Sequence, residues 1–255
     1  MLWPMTDGNP SAEDPPIGRP PVRIGILAAM DQELEAVLAD FAAPQTERFI
    51  NRTFHRGVLH GHEAVAVVAG IGKTAVATTT TLLVHHFGVQ CVVLTGAAGR
   101  VSEDVSIGDV VVATHLVHHD LDARPIFPRY HVPMLGIAHL AADEGVSELA
   151  YAAAERFLAS RPGNEARVAR GLVLSGDQFM GPAQLRDLRT RFPDGLAVEM
   201  EGAAVAQVCI ESATPYAVVR SISDDGRADA FQRFLENDCG HYARGIIGGL
   251  LTAMS

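Results

Sequence analysis

The sequence predicts an α/β protein built on one core, and three observations carry that reading. Apolar runs of strand length recur at residues 22–30, 89–95 and 216–222, with helical patterning elsewhere. The composition, 48% hydrophobic and 20% charged over 255 residues, gives room for a single full-sized core. The runs also end abruptly in acids or glycines, and in open α/β sheets ligands bind outside the carboxyl ends of the strands.

In chain order, residues 1–21 are dense in Pro, Gly and acids and are expected to be a floppy extension; residues 22–255 form the domain. Val22 to Met30 reads as a buried strand, and Asp31 as the N-cap of a helix whose apolar positions include Leu34, Val37 and Leu38. Glu33 then falls in the first helical turn, either as a surface acid complementing the helix dipole or as a carboxylate aimed into the cleft above the sheet. Residues 46–70 alternate like two or three strands, Arg48–Leu59 and then Glu63–Ala69, connected by a turn at Gly61. Gly70-Ile71-Gly72-Lys73-Thr74 leads into a helix reaching about His85. It imitates the tail of a phosphate-binding loop, but Val67 stands where that motif needs glycine, which excludes a nucleoside triphosphate site.

Val89–Thr95 reads as the central strand, running into the small residues Gly96-Ala97-Ala98-Gly99, against which a ligand can lie on backbone amides; the pattern of a dinucleotide site is absent. After a turn at Ser106–Asp109, Val110–Val117 forms another strand. His118–Pro133 is a long loop bearing Phe127 and Tyr130, and its His118, His119, Asp120 and Asp122 suit loop hydrogen bonding better than a metal. A helix over Glu144–Ala159 and a strand over Val168–Leu174 follow. Phe179 and Met180 then form an apolar pair in a glycine-flanked polar loop, suited to a flat aromatic ligand. Pro182–Arg191 is a helix, Leu196–Val198 a short strand, and residues 228–253 one last helix.

Glu199 and Glu201 break the usual rule for cores, because they sit among Leu, Ala, Val and Met, and charged side chains are seldom buried without a partner. They either open a helix at the positive end of its dipole or bind a ligand. The strongly apolar run that follows, Tyr216–Ile222, contains Arg220 and ends in Ser223, Asp224 and Asp225.

Composition narrows the partners. A formal charge of -10 leaves no electrostatic footprint for nucleic acid or an acidic membrane, and no apolar run is long enough to span a bilayer. Cys91, Cys209 and Cys239 have no zinc-site spacing and read as small core residues in a reducing, cytoplasmic compartment.

Seven pieces, IGILAAMDQE, GIGKTAVA, TGAAG, IGDVVV, LSGDQF, AVEMEGAAVAQV and VVRSISD, together resemble the nucleoside phosphorylase and nucleosidase superfamily, most closely the 5'-methylthioadenosine/S-adenosylhomocysteine nucleosidases. They stand in that family's order and spacing over nearly everything after Pro21. The resemblance implies a three-layer α/β/α sandwich around a mixed sheet, usually a homodimer, that hydrolyses both nucleosides to adenine and a 5'-thio-ribose without cofactor or metal. It implies Glu33 as the acid that activates water, Asp224 as the acid that protonates adenine N7, Ser223 as its neighbour, and a retained Arg220. It implies Glu201 with Met200 at the ribose hydroxyls, joined by Glu199, and Phe179 and Met180 at adenine. Met30, Ile71 and Phe231 would line the ribose and alkylthio end, beside the small residues Ala98 and Gly99, and the loop around Phe127 would reach the neighbouring subunit's site.

The chemistry stands on general grounds too. Protonating N7 as the C1'–N9 bond lengthens relieves a poor leaving group, and such general-acid help is typically worth about 10²–10⁴-fold. Asp224 must therefore be protonated and Glu33 ionised, which calls for different environments. Where many relatives carry serine and glycine this chain has Ala97 and Arg100, and no arginine precedes Gly96, which favours water over phosphate as nucleophile. Phosphorolysis or hydrolysis of another purine nucleoside, and catalytically silent nucleoside binding, are the competing readings.

Overall fold

The computed structural model describes residues 22–163 and 165–255, so the expected extension over residues 1–21 lies outside them. In chain order the strands are β1 (Ile24–Ala28), β2 (Ala42–Phe49), β3 (Arg52–Leu59), β4 (His62–Val68), β5 (Cys91–Arg100), β6 (Val110–His118), β7 (Leu140–Ala141), β8 (Val168–Ser175), β9 (Gly195–Glu199) and β10 (Tyr216–Asp224). The helices are α1 (Asp31–Leu38), α2 (Lys73–His85), α3 (Glu144–Ala159), α4 (Pro182–Arg191), α5 (Gly202–Glu211), α6 (Ala228–Asn237) and α7 (Cys239–Met254).

All ten strands join one mixed sheet. β4, β1, β5 and β10 run parallel at its centre, and β3 and β2 extend it antiparallel beyond β4. On the other side β10 pairs antiparallel with β6, β6 parallel with β8, and β8 parallel with β9. The end of β9 then returns to pair with Gly99 and Arg100 at the end of β5. β5, β10, β6, β8 and β9 thus close into a ring, and the carboxyl ends of β5, β9 and β10 converge.

Alternation along the central strands produces the layers. Ile24 and Ile26, Ala64 and Ala66, Val93, and Val219 face one side, where α1, α3, α6 and α7 cover them. Leu27, Val65 and Val67, Val92 and Leu94, and Val218 face the other, where α2 and α5 pack. A smaller cluster of Val117, Leu172, Leu174, Met180 and Val198 with Leu185 and Leu188 seats α4 against the ring. Both broad faces of the central strands are covered, which explains their near-continuous apolar runs. No helix among the described residues is long and apolar enough to cross a membrane.

Several boundaries differ from the sequence reading. The expected strand from Arg48 is two strands, separated by a turn at Ile50 with φ of 51°; Phe49 and Ile50 hid the turn because both are apolar. β5 does not stop at Thr95 but continues through Gly96–Arg100, since β10 and β9 supply partners for those small residues. The single last helix is two, broken at Asp238, whose φ of -121° lies outside the helical range. The break lets α6 lie over the sheet ends while α7 packs along α1 and α3. One irregular residue between two amphipathic patterns leaves no mark in the sequence. Met30, not Asp31, is the N-cap of α1.

Candidate active site

At the convergence of the strand ends lies a cavity of about 340 Å³, a size suited to a small-molecule ligand. Thirteen of the fourteen side chains anticipated from sequence line it: Glu33, Ser223 and Asp224; Met30, Ile71 and Phe231; Ala98 and Gly99; Phe179 and Met180; and Glu199, Met200 and Glu201. The exception is Arg220, fully buried behind the wall at 0% exposure, where it touches carboxylates. Ala97, one of the small residues expected to face a ligand, lines the cavity too, as do Ala29, Gln178 and Val198, which were not anticipated as ligand contacts. Gln178 adjoins anticipated positions, whereas Ala29 and Val198 look like any strand-end residue. A wider surface groove of about 800 Å³ between α3 and α7 contains none of the anticipated side chains.

Glu33 stands at the third position of α1, pointing back over the helix start. Its Oε2 accepts the Ala29 and Met30 N–H groups at 2.8 and 2.9 Å, and its Oε1 accepts that of Ala97 at 3.0 Å. Burial pushes its pKa up, while Arg220 and the three amides pull it back. All three partners are donors, so the ionised form is the one the geometry satisfies. A carboxylate raised toward neutrality in this way is a better base than a free one.

Asp224 is aimed by a bulge. Ile222 pairs with Ala98 and Asp224 with Gly99, leaving Ser223 as an extra residue in β10, and such bulges re-aim side chains beside active sites. Gly226 N–H donates to Asp224 Oδ1 at 2.8 Å, and the Ser223 hydroxyl lies 2.8 Å from Oδ2 and 3.1 Å from the Ala98 carbonyl. Burial raises the Asp224 pKa, outweighing the Ser223 and Gly226 hydrogen bonds, with the nearby Asp225 charge acting in the same direction as burial.

Glu199 ends β9 and is consumed by the protein. It accepts from the Ser175 hydroxyl, from the Glu201 and Gly202 amides at 3.0 and 2.7 Å, and from Arg220. Glu201, the N-cap of α5, accepts Gly72 N–H at 2.9 Å and faces Arg220 Nη2 at 3.3 Å. Burial and the adjacent Glu199 push it up to about 7 despite Arg220 and Gly72. The two acids do open α5, Glu201 as its N-cap and Glu199 on the Gly202 amide, but they act differently: one braces the site and the other faces into it.

At the mouth, the Phe179 and Phe231 rings meet edge to face with centroids 5.8 Å apart. The loop acids and histidines read from sequence disperse: Asp120 pairs with Lys73, Asp122 with Arg124, and His118 meets Gln207. Arg100 points to the Val105 carbonyl and is not part of the cavity lining, which contains no Lys, Arg or His.

Residues 23–244 match the model of the phosphorylase superfamily. A 5'-methylthioadenosine/S-adenosylhomocysteine nucleosidase of Anoxybacillus flavithermus is 37% identical over 226 residues, covering 86% of this chain and 94% of that one. The nucleosidase of Neisseria meningitidis, solved with methylthio-immucillin-A, superposes with a TM-score of 0.83 at 30% identity over 91% of this chain and 99% of that one. That of Colwellia psychrerythraea, solved with adenine, gives 0.81 at 30% identity over 91% and 95%.

Gly96 is the tightest point of the arrangement. Its φ is +150°, and a Cβ there would lie 2.5 Å from both Glu33 Oε1 and Arg220 Nη1. Gly96→Ala is therefore expected to displace the carboxylate and the guanidinium and to lower turnover at this site about 100-fold. Steady-state kinetics on the folded variant checks this, and a rate near wild type would show that the contact yields without consequence.

Proposed function

The chain belongs to the phosphorylase superfamily and, within it, to the 5'-methylthioadenosine/S-adenosylhomocysteine nucleosidases, and from this premise we propose that it hydrolyses the N-glycosidic bond of both nucleosides with Asp224 as general acid, Glu33 as general base and Glu201 as the sugar-binding carboxylate. The observation that carries water rather than phosphate as nucleophile is the lining: carboxylates face the cavity and no cationic side chain does. An anionic nucleophile finds nothing there to hold it, and Arg220 is already occupied by Glu199 and Glu201.

Adenine lies against Phe179 and Met180 with N7 toward Asp224, and the ribose lies between Glu201 and Met30. As the C1'–N9 bond breaks, its electron pair passes to the purine, and Asp224 gives its proton to N7. Water adds to C1' on the opposite face and loses a proton to Glu33. The products are adenine and the 5'-thio-ribose; proton return from Glu33 to Asp224 by way of solvent resets the pair. Burial that favours the protonated form of Asp224 and three amides that favour the ionised form of Glu33 support the assignment. The positive charge developing on the sugar is favoured by the acidic surroundings.

The apolar end formed by Met30, Ile71 and Phe231 fits an alkylthio substituent. Beyond it, the 120–137 loop exposes Ile126 at 80% and Met134 at 90%, with Phe127 also out. Apolar side chains clustered in this way mark interaction surfaces, and a second copy covering them, with Phe127 at the neighbouring site, is the assembly proposed. Three free, buried cysteines fit a cytoplasmic setting, and release of a methylthio-sugar fits methionine salvage.

Adenine release from methylthioadenosine and adenosylhomocysteine is expected to be rapid and independent of phosphate, with adenosine slower and inosine slowest. Stoichiometric phosphate consumption would establish phosphorolysis, and saturable binding without turnover would establish a silent binder. Asp224→Asn and Glu33→Gln are each expected to lower kcat by about 10²–10⁴-fold while a nucleoside analogue binds nearly as before. Near-normal turnover in either removes that residue from its role. Light scattering should give a dimer that Phe127→Ser weakens; a wild-type monomer would exclude a shared site.

A further inference from the structure

Two features read from the sequence have no part in the reaction above: the Lys73 of the rejected phosphate-loop motif, and the acidic loop that follows β6. They meet. Lys73 Nζ lies 2.5 Å from Asp120 Oδ1 and 3.9 Å from Asp177 Oδ2. Asp177 Oδ1 accepts the Lys73 backbone N–H at 2.8 Å, and the Asp177 N–H donates to Asp120 Oδ2 at 3.0 Å. Three segments are thereby fastened at one point: the 70–73 turn, the exit of β6, and the loop that carries Phe179 and Met180.

The turn so fastened has a single polar attachment to the sugar-binding carboxylate, Gly72 N–H to Glu201 Oε1 at 2.9 Å. Gly72 has a φ of +100°, and a Cβ there would lie 3.2 Å from Asp177 Oδ1, so the amide reaches inward only because the chain turns sharply against the clamp. We propose that Lys73, Asp120 and Asp177 are positioning residues that hold the Gly72 amide on Glu201 and keep the sugar side and the base side of the cavity at a fixed separation. The inference rests on the reading of Glu201 as the carboxylate that binds the ribose.

The electrostatics agree with the geometry. Although burial opposes it, the Lys73 ammonium and the Asp177 amide hold Asp120 below the usual carboxylate range, so the ion pair is formed across neutral pH. Glu201 is faced by Glu199 from β9, Glu33 from α1 and Arg220 from β10, and Gly72 supplies the stabilising N–H from the start of α2. Loss of that N–H favours the protonated carboxyl. The pH below which ribose binding fails must then rise, because fewer Glu201 side chains are ionised at any given pH.

Lys73→Met, Asp120→Asn and Lys73→Arg test this in the full-length enzyme. The first two are expected to raise KM for methylthioadenosine about tenfold, to change kcat by less than about twofold, and to move the acid limb of kcat/KM to higher pH. Lys73→Arg, which keeps the cation, should restore most of the KM. In the ligand-free protein, amide exchange over residues 70–73 should accelerate in Lys73→Met and Asp120→Asn, a readout that needs no turnover. Unchanged exchange with unchanged KM overturns the clamp, as does a parallel fall in kcat and melting temperature with the pH profile unmoved. Wild-type protein that releases no adenine defeats the reaction itself, and the exchange measurement still decides whether the clamp exists.

Discussion

One guanidinium, wholly enclosed, is the interaction on which the site depends. Arg220 lies in β10 with Glu199 and Glu201 on its Nη2 and with Glu33 close enough to feel its charge. Taking a cation and several carboxylates out of water costs far more than any one pair returns, and removing one partner leaves the others uncompensated. The arrangement survives because its members also accept hydrogen bonds from backbone: three amides on Glu33, two on Glu199, and Gly72 on Glu201. Space for the guanidinium comes from the neighbouring strand, where the residue paired with Arg220 is Gly96. The small-residue segment of β5 is therefore as much a socket for Arg220 as a floor for ligand.

This balance has a chemical consequence. With Glu33, Glu199 and Glu201 all ionised, one guanidinium leaves the cluster net negative. A sugar gaining positive charge at C1' is stabilised by such surroundings, and a phosphate dianion is repelled by them. Glu201, pushed up to about 7 by burial and by Glu199, is a carboxyl whose ionisation is costly in this cluster. In the sugar-binding role proposed for it, ribose hydroxyls would donate to Glu201, so that substrate binding and its ionisation favour one another. Glu199 needs no ligand, since its Ser175, amide and Arg220 partners already satisfy it.

Much of the site was legible because its residues violate ordinary rules. Two acids in an apolar run, a glycine-flanked Phe179-Met180 pair, and an acid ending a charge-poor strand each stand out against the pattern around them. What stayed hidden was pairing across the chain. Nothing in the local sequence says that Gly96 and Arg220 are neighbours in adjacent strands, that Arg220 is enclosed rather than presented, or that Lys73 finds Asp120. Fold elements followed the same division. α3 and α4 were read close to their observed bounds, because Asp143 caps the one and Pro182 starts the other. The continuation of β5 through small residues was invisible, because those residues have no strand preference of their own and are extended only by their partners in β9 and β10.

The hydrogen-bond inventory around Ser223 adds a reason to assign the acid as the resemblance implied. The hydroxyl has one proton and two acceptors within reach, the Ala98 carbonyl and Asp224 Oδ2. With Asp224 ionised it can serve only one of them, and the other is left short in a buried place. With Asp224 protonated the shortage ends: the carboxyl donates to Ser223, and Ser223 donates to Ala98. Arrival of a purine changes the accounting again, because N7 is an acceptor that can take the carboxyl proton in place of Ser223. Proton transfer to N7 then leaves a carboxylate that the Ser223 hydroxyl and the Gly226 amide both stabilise by donation. The same two neighbours thus accommodate Asp224 before and after the transfer, as the general-acid role proposed for it requires.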